Sequence, residues 1–140
     1  MWRGLLISIL LAAGCAQMPL TPQDIEARKF EAVPGRSVIY LVRDEPDHSR
    51  RPATMWLGDD VMITTYPGTY YRWEVPPGTH RISGYSSDQG TFTLQTEPGR
   101  IYFVQQRLAP LIGMSQSYYQ VVSEAAGRAA IGRSVLVARR

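Results

Sequence analysis

Apolar and polar residues alternate along most of the chain after residue 36, in short runs separated by turn residues. A period of two is typical of strands with one buried face, and a short run that is apolar on both sides is typical of a strand buried on both faces. The pattern predicts strands over 37–43, 54–57, 61–65, 70–75, 79–86, 90–96, 100–106 and 118–122, with a strand-like stretch over 134–138.

Pro-Gly dipeptides separate several of these runs and begin at residues 34, 67, 77 and 98. Proline presets φ and glycine accepts a positive φ, so each dipeptide predicts a turn. Strands and turns recur at intervals of roughly ten residues, which favours an antiparallel β-sandwich or a small barrel. We therefore predict an all-β domain, an antiparallel β-sandwich, over residues 37–131.

Short helices are predicted at both ends of this domain. Thr21 is suited to an N-cap and Pro22 to the first helical position, although the apolar stripe over 23–30 is only partial. Residues 123–131 are predicted to form a second short helix, broken by Gly127. Residues 132–140 are assigned to a C-terminal tail.

The first fourteen residues have the organisation of a bacterial signal peptide. A basic start with Arg3 precedes an apolar run over 5–13 that is too short to span a bilayer. The sequence Leu-Ala-Ala-Gly-Cys-Ala over 11–16 resembles the lipobox of bacterial lipoproteins, with Ala12 in place of the usual leucine. In a lipobox the cysteine thiol receives a diacylglycerol before the signal peptidase cuts, so the resemblance implies lipid attachment at Cys15.

The lipobox resemblance also implies a layout for the chain. It predicts a signal peptide over 1–14 and a lipidated tether with a short helix over 15–36. Under the sorting rule of such proteins, a residue other than aspartate after the cysteine favours the outer membrane, and that residue is Ala16. Cleavage by the ordinary signal peptidase, which would release a soluble protein, and an uncleaved buried helix are the two alternatives.

Composition and charge narrow the function classes further. Cys15 is the only cysteine, which excludes an internal disulfide and any zinc site that needs two thiolates. The formal net charge is +3, and +2 without residues 1–14, so nucleic acid is not an expected partner. There is no nucleophile elbow, phosphate-binding loop or dinucleotide fingerprint. We therefore predict no enzymatic activity, no cofactor and no metal site.

Two histidines and two carboxylate pairs are the candidates for acid–base or metal chemistry. His80 follows a Pro-Gly turn and is predicted to begin a strand and bond locally, the alternatives being a ligand, a base or a pH sensor. His48 lies in a polar loop, where a solvated role is favoured over a weak cation site. The carboxylates assigned to loops and turns are Asp44, Glu45, Asp59 and Asp60.

Aromatic residues are a second group of candidates. Alternation places Tyr71 and Trp73 in the core and Tyr70 on the other face of the same strand. An exposed face near Tyr70 and Trp56 is a candidate surface for stacking a glycan or a peptide, because aromatic side chains with polar tips are enriched at interfaces. The other aromatic residues of this group are Tyr66 and Tyr85.

Four segments in order resemble a family of small bacterial lipoproteins known as domain of unknown function 2846. They are Pro-Gly followed by an apolar run ending in Tyr-x-x-Arg over 34–43, a tyrosine strand leading into Pro-Gly-x-His over 67–80, Gly-x-x-Tyr-Phe within 97–104, and the closing segment 124–128. The resemblance covers residues 32–131 and implies a β-sandwich of the transthyretin or peptidase-regulatory type. It implies no activity, and the stretch 108–117 matches nothing in it.

These observations predict a lipid-anchored, non-enzymatic lipoprotein of the cell envelope that faces the periplasm and acts by contact with another envelope component. The membrane is the expected partner through the lipid on Cys15. The alternative hypothesis is a β-sandwich module that binds a glycan or a peptide through an aromatic sheet face.

Overall fold

Two β-sheets and two short helices make up the computed structural model, which describes residues 19–140. The helices are α1 (Pro22–Ala27) and α2 (Glu124–Gly132). The strands are β1 (Ser37–Arg43), β2 (Ala53–Leu57), β3 (Val61–Thr65), β4 (Thr69–Val75), β5 (Gly78–Gly84), β6 (Thr91–Thr96), β7 (Ile101–Leu111), β8 (Met114–Val122) and β9 (Val135–Leu136). The predicted signal peptide and Cys15 lie outside the described residues.

The sheets confirm the predicted all-β, sandwich-like fold. One has five strands in the order β8-β7-β1-β4-β9, and the other has four in the order β3-β2-β5-β6. Most pairings are antiparallel, but β1 pairs with β7 and β4 with β9 in parallel. The chain reaches β7 from the four-stranded sheet at the end where β1 began, so the neighbouring strands β1 and β7 run in the same direction.

The five-stranded sheet is covered on both faces. Ile39 and Leu41 of β1 face the four-stranded sheet and belong to the larger core cluster, whereas Val38, Tyr40 and Val42 face the two helices. All seven residues of β1 are buried. The molecule therefore has three layers, helices on sheet on sheet, which explains why this run is apolar on both sides.

The helix α2 continues through Gly127 instead of breaking there. An added Cβ at Gly127 would lie 2.4 Å from the ring of Phe103 on β7, so the missing side chain lets the helix approach the sheet closely. Ser123 caps the helix by accepting a hydrogen bond from the backbone N–H of Ala126 at 3.2 Å. Packing against the sheet thus outweighs the low intrinsic helix propensity of glycine.

Residues 108–117, for which the sequence predicted no element, form the outer part of a long β7–β8 hairpin. Leu111 pairs with Met114, and Gly113 in the connecting turn has a φ of +73°. The register of β1 ends opposite Gln105, so β7 extends past its neighbour. Pro110 lies in this extension, where its missing N–H removes no hydrogen bond to β1.

Strand directions divide the loops between two ends of the sandwich. One end, which we call the base, carries the loops 44–52, 66–68 and 85–90, the 112–113 turn, residues 133–134 and the segment 19–21. The opposite end, the top, carries the turns 34–36, 58–60, 76–77 and 97–100. The first described residues thus lie at the same end as the tip of the β7–β8 hairpin.

Candidate functional site at the base of the sandwich

The two histidines lie at opposite ends of the molecule. His80 is within β5, where Nε2 is 2.6 Å from the carbonyl oxygen of Pro76 and the ring makes an edge contact with Trp73. His48 is exposed in the 44–52 loop at the base. Within residues 19–140 there is no group of three or more His, Cys, Asp or Glu side chains arranged to hold a metal ion.

The carboxylate pairs of the sequence are separated by the fold. Asp44 forms an ion pair with Arg133 at 2.5 Å, whereas Glu45 is exposed beside it. Asp59 and Asp60 are exposed in the β2–β3 turn at the top. The two pairs therefore share no cleft in which two carboxyl groups would work together.

The predicted aromatic face near Tyr70 and Trp56 does not form. Tyr70 is fully buried between β4 and α1, although the alternation correctly placed Tyr71 and Trp73 on the opposite face. Trp56 is half-buried on β2 of the other sheet, so it shares no surface with Tyr70. Only Tyr66 and Tyr85 of this group are well exposed, and both lie in loops at the base.

A buried carboxylate holds α1 on the sheet. Oδ1 of Asp24 accepts hydrogen bonds from Arg28 Nε at 2.5 Å and from the Tyr70 hydroxyl at 2.6 Å, and Oδ2 accepts one from the backbone N–H of Leu136 at 3.0 Å. Burial opposes ionisation, but these hydrogen bonds outweigh it and lower the pKa of Asp24. Burial beside this carboxylate also raises the pKa of Tyr70.

Arg28 extends the same network to the end of α2 and the residues that follow it. It donates to the carbonyl oxygens of Ile131 at 3.0 Å and of Ser134. The segment 22–28 is therefore part of the domain, unlike the tether predicted over 15–36. Within the predicted tail, residues 135–136 of the strand-like stretch 134–138 form a strand of the five-stranded sheet.

A second buried ion pair shapes the base. Arg43, at the end of β1, is fully buried and pairs with Asp47 at 2.6 Å. Its remaining donors reach the carbonyl oxygens of Ser49, Arg51 and Thr65 at 2.5, 2.7 and 3.2 Å. The carboxylate of Asp47 also accepts the backbone N–H of Leu108. Since every partner lies in or beside the 44–52 loop or on β7, this pair locks the loop to the hairpin.

A third buried carboxylate holds the hairpin from the other side. Asp88, in the 85–90 loop, accepts hydrogen bonds from Ser117 N–H at 2.8 Å, from Ser117 Oγ at 2.5 Å and from Gly90 N–H at 2.9 Å. Backbone bonds between Ser115 and residues 87 and 89 complete the junction. The hairpin tip therefore projects from a rigid support.

Exposed apolar side chains concentrate at this end. Ten large apolar residues are exposed among the described residues, and seven of them lie at the base. They are Leu20, Tyr66, Tyr85, Leu111, Ile112, Met114 and Val135. Ile112 at the hairpin tip is 103% exposed, as in an extended peptide. The sequence singled out only Tyr66 and Tyr85 of this surface. Its members come from the segment 19–21, the loops 66–68 and 85–90, the strand β9 and the stretch 108–117, which matched nothing.

A groove of about 540 Å³ runs between α1, β4 and β9. Its polar lining includes Glu26, Glu31, Glu74 and Arg72, of which Arg72 pairs with Glu74 at 3.3 Å. Tyr70 does not line it. The groove therefore does not restore the aromatic surface that the sequence predicted.

Comparison with known proteins gives no activity for these residues. No protein-family model matches the chain. A protein from Haemophilus influenzae, named only as uncharacterized, is 24% identical over 128 residues, which is 89% of this chain and 76% of that protein. The resemblance to domain of unknown function 2846 stays a prediction. No helix within residues 19–140 is long and apolar enough to cross a membrane.

Proposed function

We propose that the protein is a lipid-anchored lipoprotein of the cell envelope, held at the periplasmic face of the outer membrane through Cys15. The observation that carries the proposal is the Leu-Ala-Ala-Gly-Cys-Ala sequence over 11–16, placed immediately before a folded domain. A diacylglyceryl group supplies two acyl chains, which is enough for stable anchoring where one chain is marginal. The folded domain then acts as a non-enzymatic interaction module.

The contacts of the candidate acid–base groups support a non-enzymatic role. His80 is held by the Pro76 carbonyl and Asp44 by Arg133. Each contact holds a loop or a turn in place, which is a structural task. A catalytic pair needs two such groups within reach of one reacting atom.

Metabolic labelling with an alkyne fatty acid tests the anchor. We expect label on the wild-type protein and recovery of the protein with the outer membrane. The Cys15→Ser variant is expected to lose both, because the serine hydroxyl does not accept the diacylglycerol. Circular dichroism of the purified variant should match the wild type, since residue 15 precedes the folded domain.

An Ala16→Asp variant is the matched control for sorting. It keeps Cys15 and should therefore keep the label, but its recovery should move from the outer to the inner membrane. A wild-type protein that takes no label and fractionates as a soluble protein would contradict the proposal and favour secretion. An unlabelled wild-type protein of uncleaved mass would instead favour the buried-helix alternative.

A further inference from the structure

Resting on the proposed lipid anchor, we infer that the base of the sandwich is a second membrane contact: the β7–β8 hairpin tip, with Leu111, Ile112 and Met114, inserts into the same phospholipid leaflet that holds the lipid on Cys15. The anchor then fixes an orientation as well as a location. The domain stands with its base on the bilayer and its top toward the periplasm.

The first observation is the short length of chain between the lipid and the fold. Four residue steps separate Cys15 from Pro19, and they span at most roughly 14 Å when fully extended. Leu20 lies beside Arg133 and Val135, which is at the base. Since α1 is bonded to the sheet and adds no reach, a lipid on Cys15 holds the base close to the bilayer surface.

The second observation is the apolar character of the base. Exposed apolar side chains that concentrate at one end of a soluble domain often mark a contact with a partner or a membrane. Here the apolar side chains lie on loop tips that project from the end of the sandwich, with Ile112 completely exposed. Projecting apolar side chains can enter the boundary between the lipid headgroups and the acyl chains. Apolar groups insert there to a depth of roughly 5–10 Å.

The third observation is that exposed arginines lie at the same end as the hairpin tip. Arg50 and Arg51 in the 44–52 loop and Arg107 on the extension of β7 are exposed, and they have no ion pair within the described residues. Of the acidic residues in the loops at this end, Asp47 and Asp88 are buried in the networks that support the hairpin and Asp44 is paired with Arg133. Glu45 is exposed near Arg50, so the unpaired arginines outnumber the unpaired carboxylates. Cations around an apolar tip are complementary to anionic phospholipid headgroups.

Fluorescence quenching from the bilayer tests the contact. Lipidated full-length protein carrying Ile112→Cys is labelled with an environment-sensitive nitrobenzoxadiazole dye and placed in vesicles of phosphatidylethanolamine and phosphatidylglycerol. The lipid occupies Cys15, the only native cysteine, so the introduced thiol is the only one that reacts. A doxyl group on the lipid acyl chains then quenches only dyes that enter the leaflet.

Val121→Cys is the matched control. Val121 and Leu111 are both 47% exposed and lie on the same hairpin, but Val121 pairs with Val104 nearer the top. We expect severalfold quenching of the dye at 112 and little at 121. Neither substitution is in the core, so both variants should keep the wild-type circular dichroism spectrum.

Two different failures are distinguishable in this experiment. The mass of each purified protein shows first whether it is lipidated, and a chain without lipid would overturn both the anchor and this inference. A lipidated chain on the vesicles whose dye at 112 is quenched no more than the dye at 121 would overturn the inference alone. A photo-crosslinker at 112 that captures one envelope protein in cells, together with absent quenching, would assign the base to that protein instead.

Discussion

Single buried charges decide the shape of the base. The side chains of Arg43 and Asp47 are 0% and 1% exposed. The arginine donates hydrogen bonds to carbonyl oxygens of the 44–52 loop, which has no regular secondary structure. A buried pair of this kind contributes little net stability, but losing one partner leaves an uncompensated charge. The pair therefore selects one conformation of the 44–52 loop against the neighbouring hairpin.

Asp47→Ala should lower the free energy of unfolding by about 3–5 kcal/mol, because it leaves the guanidinium of Arg43 buried without its counterion. Urea unfolding followed by circular dichroism measures the change. Glu97→Ala is the control, since it breaks an ion pair with Arg100 whose two side chains are 65% and 64% exposed. The control should leave the urea midpoint where it is. Equal effects of the two substitutions would contradict the role assigned to Asp47.

Asp24 should make the stability depend on pH in the acid range. Its pKa is lowered in the folded state, so the unfolded chain binds more protons and stability rises with pH. The contribution is complete above the unfolded pKa of about 3.9 and is lost as the pH falls through the folded pKa.

The Asp24→Asn variant should therefore be less stable than the wild type at pH 7, and the difference should shrink on acidification toward pH 3. Urea unfolding at several pH values measures this difference. Tyr70→Phe removes one of the hydrogen bonds to the carboxylate and should weaken the pH dependence only partly. A difference between Asp24→Asn and wild type that stays constant with pH would contradict the argument.

At the scale of elements, the helices explain most departures from the sequence pattern. Alternation on β4 separates Tyr70 from Trp73, but α1 covers the face on which Tyr70 lies and turns an expected surface into a core. Gly127 has the same explanation, since α2 rests its backbone on the ring of Phe103. Both positions depend on contacts between elements that are distant in the chain.

Gly127→Ala should destabilise the protein, although alanine is the better helix former by about 1 kcal/mol. The new methyl group would meet the buried ring of Phe103, and overpacking of this kind costs about 1–3 kcal/mol. Gly132→Ala on the same helix is the control, because an added Cβ there has no neighbour within 4 Å. Thermal unfolding should show a lower midpoint for the first variant and an unchanged or higher one for the second. The opposite order would show that the close approach is unimportant.

At the scale of the whole molecule, the first described segment and the segment that follows α2 meet at the base of the sandwich. The carboxylate of Asp24 in α1 accepts a hydrogen bond from the backbone N–H of Leu136 in β9. Only a few residues separate Cys15 from the described part of the chain, which begins at Pro19. The proposed lipid anchor therefore places the base, with its apolar loop tips, next to the bilayer.

A flexible linker of twelve glycine and serine residues inserted after Ala16 should separate anchoring from orientation. Such a linker has a root-mean-square length of about 19 Å, which lowers the effective concentration of the base at the bilayer. We expect unchanged lipid labelling and membrane recovery but weaker quenching of a dye at position 112. Undiminished quenching would mean that the base binds the bilayer without help from the short tether.

Local chemistry along the chain was enough to predict the strands, the turns and the helix cap at Thr21, because each depends on neighbouring residues. The side chain of Thr21 does accept the Asp24 N–H at 3.1 Å, and the predicted strands match most of β1–β8. The lipobox resemblance is equally local, and it stays a prediction because it lies outside the described residues. Periodicity shows that a strand has two different faces, but it does not show what covers each of them.

Tertiary contacts decided the rest. They buried Tyr70 under α1, allowed α2 to continue through Gly127, and paired β1 with β7 in parallel. They also gathered apolar tips from separate loops at the base, on supports built from Asp47 and Asp88. The physical reason is that burial and pairing depend on groups far apart in the sequence, whose meeting lowers the free energy only in the assembled fold.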